Sequence, residues 1–256
     1  ARHRFVALVG GGYDPSNDAM GFARDNKGNK IFMLDVASGN ILWSAGPSGS
    51  GTIASPSFER MQHSSVADIR ALDLSVDGYI DRIYTADLGG QVWRFDVKDG
   101  SAASELVIGG VMASVGGEED AAKDRRFYYA PDISEARCSG KVFYNVAIGS
   151  GDRENPVTDK DIQNTFFSFR DYLLRTQVKT TDYKSTCTAP VDGSVPEPCF
   201  ATILDDSSLV DATATASPTI DGSATGWKLE LIQSAVDGEK ALAESRTFAG
   251  RIFFTT

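Results

Sequence analysis

One repeated pattern constrains the fold of this chain more than any other feature. Ile31-Phe32-Met33-Leu34-Asp35-Val36-Ala37-Ser38-Gly39 and Val92-Trp93-Arg94-Phe95-Asp96-Val97-Lys98-Asp99-Gly100 follow one scheme. Each reads apolar, aromatic, variable, apolar, Asp, Val, two turn residues, Gly. Weaker copies occur at Phe166-Phe167-Ser168-Phe169-Arg170-Asp171 and Gly226-Trp227-Lys228-Leu229-Glu230. A preceding strand also recurs, as Arg82-Ile83-Tyr84-Thr85, Lys141-Val142-Phe143-Tyr144 and Arg251-Ile252-Phe253-Phe254. VALVGGGYDP near the start parallels VAIGSGDRENP at 146–156. A hairpin of this kind has an apolar face that it cannot bury alone, and stacking similar units around an axis buries it. The expectation is an all-β chain, a β-propeller of antiparallel blades with long inter-strand loops. Residues 1–256 would form a single propeller domain. It would hold roughly four blades of a larger ring. The copies are spaced more widely than ordinary blades, which implies loop insertions near 101–126 and 171–216. The segments 112–126 and 234–246 read as short helices or loops.

The chain brings a formal charge of −10 and a pI near 4.7. Such a surface repels phosphate backbones and anionic lipid, so nucleic acid is not an expected partner. No apolar run reaches the length of a membrane-spanning helix, and no membrane insertion is expected. The opening at Ala1, without Met, leads us to expect a piece of a longer chain.

The acids are not spread evenly. In Asp73-Leu74-Ser75-Val76-Asp77-Gly78-Tyr79-Ile80-Asp81, oxygen-bearing side chains fall at the first, third, fifth and ninth positions. Gly78 stands sixth, where a calcium loop turns sharply, and the seventh ligand in such loops is a backbone carbonyl, here that of Tyr79. The twelfth position, which carries a bidentate Glu in a helix-loop-helix site, is Tyr84, inside an expected strand. The residues read as a shortened Ca2+ loop feeding a strand, with Asp73, Ser75, Asp77, Tyr79 and Asp81 as ligands. The competing reading is a polar β-turn at Asp77-Gly78 with solvated acids.

Other constellations are weaker. Cys187 and Cys199 lie in the Pro- and Thr-rich stretch KSTCTAPVDGSVPEPCF, which has few core-forming residues, and a disulfide there would restrain it. Cys138 is left over. His3 and His63 have no zinc-like spacing. Gly10-Gly11-Gly12 lacks the Gly-Lys-Ser/Thr of a phosphate loop. Asp14, Asn17 and Asp18, and likewise Asp152, Glu154 and Asp159, read as solvated loops, with Arg153 pairing its acidic neighbours. Trp43, Trp93 and Trp227 are read as equivalent packing residues between blades.

HSSVADIRALDLSVDGYIDRIYTADLGGQVWRFDVKDG, residues 63–100, resembles the calcium-loop blade of the PilY-type type IV pilus biogenesis proteins. GSGDRENPVTDKDIQNTFFSFRD, residues 149–171, and GNKIFMLDVASGNILWS, residues 28–44, resemble other stretches of that family. The resemblance covers most of residues 1–171. It implies a C-terminal propeller of a fimbrial protein, exported through the periplasm to the bacterial cell surface and the pilus tip. In the family the loop binds calcium and regulates pilus extension against retraction, and the proteins are linked to adhesion. Major or minor pilin subunits, and a host or surface ligand, are the implied partners. Ser75 departs from the Asn or Asp more usual at its position.

The chain is not expected to be an enzyme. The alternative is a quinoprotein dehydrogenase, whose propeller blades these repeats also resemble and which holds pyrroloquinoline quinone with calcium. That chemistry needs an axial cofactor cluster with an Asp base, and the sequence shows none.

Overall fold

The computed structural model describes residues 3–18, 23–47, 58–98, 106–117, 121–157, 160–174, 183–187, 197–200, 202–215, 218–231 and 238–256. Among these, the only helices are short 3₁₀ turns such as Pro15–Asn17 and Asp206–Ser208, and the chain is otherwise strand and loop. No described helix is long and apolar enough to cross a membrane.

The first sheet is a three-stranded antiparallel meander of β1 (Val6–Gly10), β2 (Ile31–Asp35) and β3 (Ile41–Ala45). The second is four-stranded and follows chain order: β4 (Arg70–Leu72), β5 (Arg82–Ala86), β6 (Gln91–Val97) and β7 (Val107–Ser114). The third contains β8 (Asp132–Cys138), β9 (Lys141–Gly149) and β10 (Thr165–Asp171). Two-stranded β11 (Tyr183–Cys187) and β12 (Glu197–Phe200) follow as a separate ladder. β13 (Val210–Asp211) and β14 (Gly226–Glu230) then complete the third sheet in the order β13-β14-β10-β9-β8. β13 joins β14 in parallel, whereas the other ladders between the described strands are antiparallel. A hairpin of β15 (Arg246–Phe248) and β16 (Arg251–Phe253) ends the described chain.

The two strongest copies of the repeat take equivalent places. In β1–β2, Gly10 faces Ile31 and Val6 faces Asp35; in β5–β6, Ala86 faces Val92 and Arg82 faces Asp96. Period-2 alternation then sends successive side chains to opposite faces. Trp93 and Phe95 point back into the cluster shared with the first sheet, which holds Ile31, Met33, Trp43 and Phe58. Val92 and Tyr84 point forward into the cluster shared with Phe167, Phe169 and Val146 of the third sheet. The contacts are edge-on aromatic pairs: Trp43 to Phe95 at 5.1 Å, Phe58 to Trp93 at 5.7 Å, Phe127 to Phe167 at 6.0 Å. Such offset and edge-to-face arrangements suit the ring quadrupole. Phe166 repeats the scheme, stacking on Phe254 at 4.0 Å and so seating the final hairpin.

Four expectations need correction. Residues 107–114, placed inside an insertion and partly read as helix or loop, form β7, the outer strand of the second sheet. Its Gly109 lies against Phe95, where a Cβ would fall 2.2 Å from the Arg94 carbonyl oxygen, so glycine lets the strand approach. The insertion near 171–216 likewise carries β11, β12 and β13. Gly226–Glu230, read as a fourth copy of the repeat, is instead the strand that pairs to the true third copy, between β10 and β13, with Trp227 opposite Ser168. Trp43 sits correspondingly on the strand beside the first copy, opposite Met33, while Trp93 sits on β6, a repeat strand itself. The tryptophans do pack at the sheet faces, but Trp93 is not equivalent to the other two. The segment 232–237 lies outside the described residues, and 238–245 is irregular loop.

Candidate functional site

The candidate loop joins β4 to β5 across the closing pair Leu72 and Arg82. Its base is pinned on both strands. Asp81 donates its N–H to the Leu72 carbonyl at 2.8 Å, and its own carbonyl accepts from Val97 N at 2.8 Å. Between these points the chain doubles back twice through left-handed backbone, at Val76 (φ 60°) and Gly78 (φ 90°). Glycine is permissive there; a β-branched valine is not, and it is held in place by the hydrogen bonds around it.

Those bonds run from backbone amides to the acids. The Asp73 carboxylate accepts from Gly78 N at 2.8 Å and Asp77 N at 3.2 Å. The Ser75 hydroxyl lies 3.4 Å from Asp73. Asp81 accepts from Leu74 N and Ser75 N, both at 2.7 Å, and Asp77 from Tyr79 N at 3.0 Å. The Gly78 amide above all, with those of Asp77 and Val76 and the Ser75 hydroxyl, holds the Asp73 carboxyl below the usual carboxylate range. Asp73 is therefore ionised at neutral pH without any cation. The loop is exposed, and His3 stacks on Tyr79 with ring centroids 4.8 Å apart.

The donor set is all oxygen, which is the chemistry a hard divalent cation requires. A carboxylate oxygen that accepts one N–H still has a second lone pair. The fold gathers Asp73, Ser75, Asp77, Tyr79 and Asp81 on one short loop. Among the described residues no three His, Cys, Asp or Glu side chains converge closely enough to hold an ion as they stand. Each of the three carboxylates is instead taken up by backbone amides of the loop itself.

The other sequence candidates are placed differently. Asp14 is buried and caps the 3₁₀ turn, accepting from Ser16 N at 3.1 Å and Asn26 N at 3.0 Å. Asp18 instead accepts from the Tyr13 hydroxyl. Asp152 is buried, accepts from Glu154 N and the Asn155 side chain, and lies 3.4 Å from Arg126. Arg153 lies 3.9 Å from Glu154, while Asp159 lies outside the described residues. His63 is buried beside Asp25 and Arg126, and burial pushes its imidazole down to about 4. Cys138 is a free thiol, its Sγ 3.3 Å from the Ile220 carbonyl. Cys187 and Cys199 fall on the paired strands β11 and β12, opposite Glu197 and Lys184 respectively; their side chains lie outside the described residues.

Sequence reasoning missed a buried charge network directly behind the loop. Arg82, the residue after Asp81, has no exposed surface and lies 2.5 Å from Asp96. Arg94 bridges Asp96 at 2.9 Å and Asp171 at 2.7 Å. The Tyr84 hydroxyl donates to Asp171 at 2.5 Å. Burial pushes the Tyr84 hydroxyl well up, and the Asp171 charge adds to it, so it stays a donor. The available signal was charge inside otherwise apolar strands, Arg82 in β5 and Arg94 and Asp96 at alternating positions of β6.

No family model and no curated protein matches the sequence. Among solved structures, the chain is similar to the crystal structure of the Pseudomonas aeruginosa PilY1 C-terminal domain, with a TM-score of 0.57 at 18% identity. The match covers 94% of this chain and 50% of that one, so the chain spans about half the length of that structure. At this identity the likeness shows a distant PilY1-like fold.

Proposed function

We propose that this chain is the calcium-binding part of a type IV pilus-associated surface protein, acting by binding rather than by catalysis. The observation that carries the reading is the β4–β5 loop: five candidate oxygen donors at calcium-loop spacing, with left-handed turns at Val76 and Gly78, on a PilY1-like fold. Asp73, Asp77 and Asp81 would repel one another when drawn together, and a bound cation would remove that repulsion. Ser75 Oγ and the Tyr79 carbonyl add neutral donors. The ion would replace the amides as the partner at the loop centre and stiffen the entry to β5. The resemblance supplies the rest of the proposal. The protein sits at the cell surface near the pilus tip, contacts pilin subunits, regulates extension against retraction, and supports adhesion.

The test is isothermal titration with calcium and magnesium on wild type and Asp77→Ala. A dissociation constant on the order of 10⁻⁷ to 10⁻⁵ M is expected, with magnesium a poor competitor. Calcium a hundredfold above that constant should stabilise the fold by about 2.7 kcal/mol. Equal binding by wild type and Asp77→Ala, or binding by neither, leaves the loop a polar turn and removes the regulatory reading.

A further inference from the structure

We propose that Asp171, on β10 of the third sheet, is a positioning residue for the β4–β5 loop of the second, acting through Tyr84, Arg94 and Arg82. Part of this inference rests on the calcium reading; the positioning itself does not.

The connection is short. Asp81 closes the loop by collecting the amides of Leu74 and Ser75, and the next residue is Arg82. The Arg82 side chain is fully buried and held by Asp96, with Asp171 3.6 Å away. Asp96 and Asp171 share Arg94, so two carboxylates and two guanidinium groups meet in the interior. The Tyr84 hydroxyl, on the loop's exit strand, is bonded to Asp171 directly. The carboxylate of Asp171 is 4% exposed, so water cannot replace it. Removing its charge takes from two buried arginines a carboxylate that both of them face. The start of β5 must then shift to relieve them. Asp81 is one residue away, and its carbonyl also anchors to Val97. Donors around a cation must be held to within about 0.5 Å, so drift at Asp81 weakens ligation even though every ligand is still present. The third sheet thereby sets the shape of a loop in the second, and by reciprocity an occupied loop tightens the contact between the sheets.

The experiment compares wild type, Asp171→Asn, Tyr84→Phe and a control, Phe166→Leu, which perturbs the distant cluster under β16. Hydrogen exchange of the amides of residues 74, 75, 77 and 78 is followed without metal, and calcium affinity is then measured by titration. Asp171→Asn should speed exchange at these amides and weaken calcium by about fivefold or more, the lower end of coupling between linked sites. Tyr84→Phe keeps all four charges and should shift both readouts in the same direction by less; it carries the test if Asp171→Asn does not fold. Phe166→Leu should leave both unchanged. Loss of thermal stability in Asp171→Asn or Tyr84→Phe with loop exchange and affinity at wild-type values overturns the proposal. Faster exchange in a protein whose wild type binds no calcium upholds the positioning and refutes the calcium reading.

Discussion

Val76→Gly should stabilise this protein, against the ordinary effect of introducing glycine. Val76 has φ 60° and is 87% exposed, so its side chain makes little contact that truncation could lose. Holding an L-residue in the left-handed region costs roughly 1–2 kcal/mol, and a β-branched residue stands at the upper end. Glycine escapes that cost but gives back about 0.5–1 kcal/mol through the freedom of its unfolded chain. The net expectation is a gain of about 1–1.5 kcal/mol. In a domain of this size that is a rise of about 2–6 °C in melting temperature. Gly78→Ala is the complementary change. A Cβ there would meet nothing within 4 Å, so only the backbone at φ 90° opposes it. It should destabilise by about 1 kcal/mol. The assay is urea unfolding without metal, read as a midpoint shift at constant slope. Val76→Gly losing about 0.5–1 kcal/mol, as at an unstrained site, would refute the reasoning and show that Val76 sits comfortably in the loop.

Two further outcomes are expected. Burial pushes Asp87 up to about 7 against hydrogen bonds from Trp93, Gln91 and Gly89, so its contribution is full below its unfolded value and lost as pH rises through 7. Burial pushes His63 down to about 4, so its contribution is present above its unfolded value and lost as pH falls through 4. The slopes oppose each other between these limits: Asp87→Asn should make stability rise with pH more steeply, and His63→Gln should make it fall; urea midpoints at several pH values that run parallel to wild type would contradict both. Cys187 and Cys199, on neighbouring strands of one hairpin, should appear as linked peptides in a non-reduced digest, whereas alkylation of both without prior reduction would end that expectation.

The repeat and the β-hairpins that carry it were legible because their information is local. Alternation in Arg82–Ala86 and Gln91–Val97 fixes which side chains share a face, and the turn at Asp87 to Gln91 fixes their register. The turn between Asp73 and Asp81 was legible for the same reason, since its acids and its glycine lie close together in the chain. The sequence by itself therefore determined the strand pairs, the turns and the candidate donor set. Which strands complete a sheet was decided only in three dimensions. β7 and β14 are short apolar runs whose role depends on which edge of β6 or β10 is open to them, a fact held by distant residues. The same holds for Asp171. Nothing near it in the chain announces a partner, and it meets Arg94 across 77 residues because stacked sheets exclude water from both. An acid in a solvated loop and an acid at the heart of a buried network read identically in one dimension; burial separates them, because only in the interior must every charge find its counterpart.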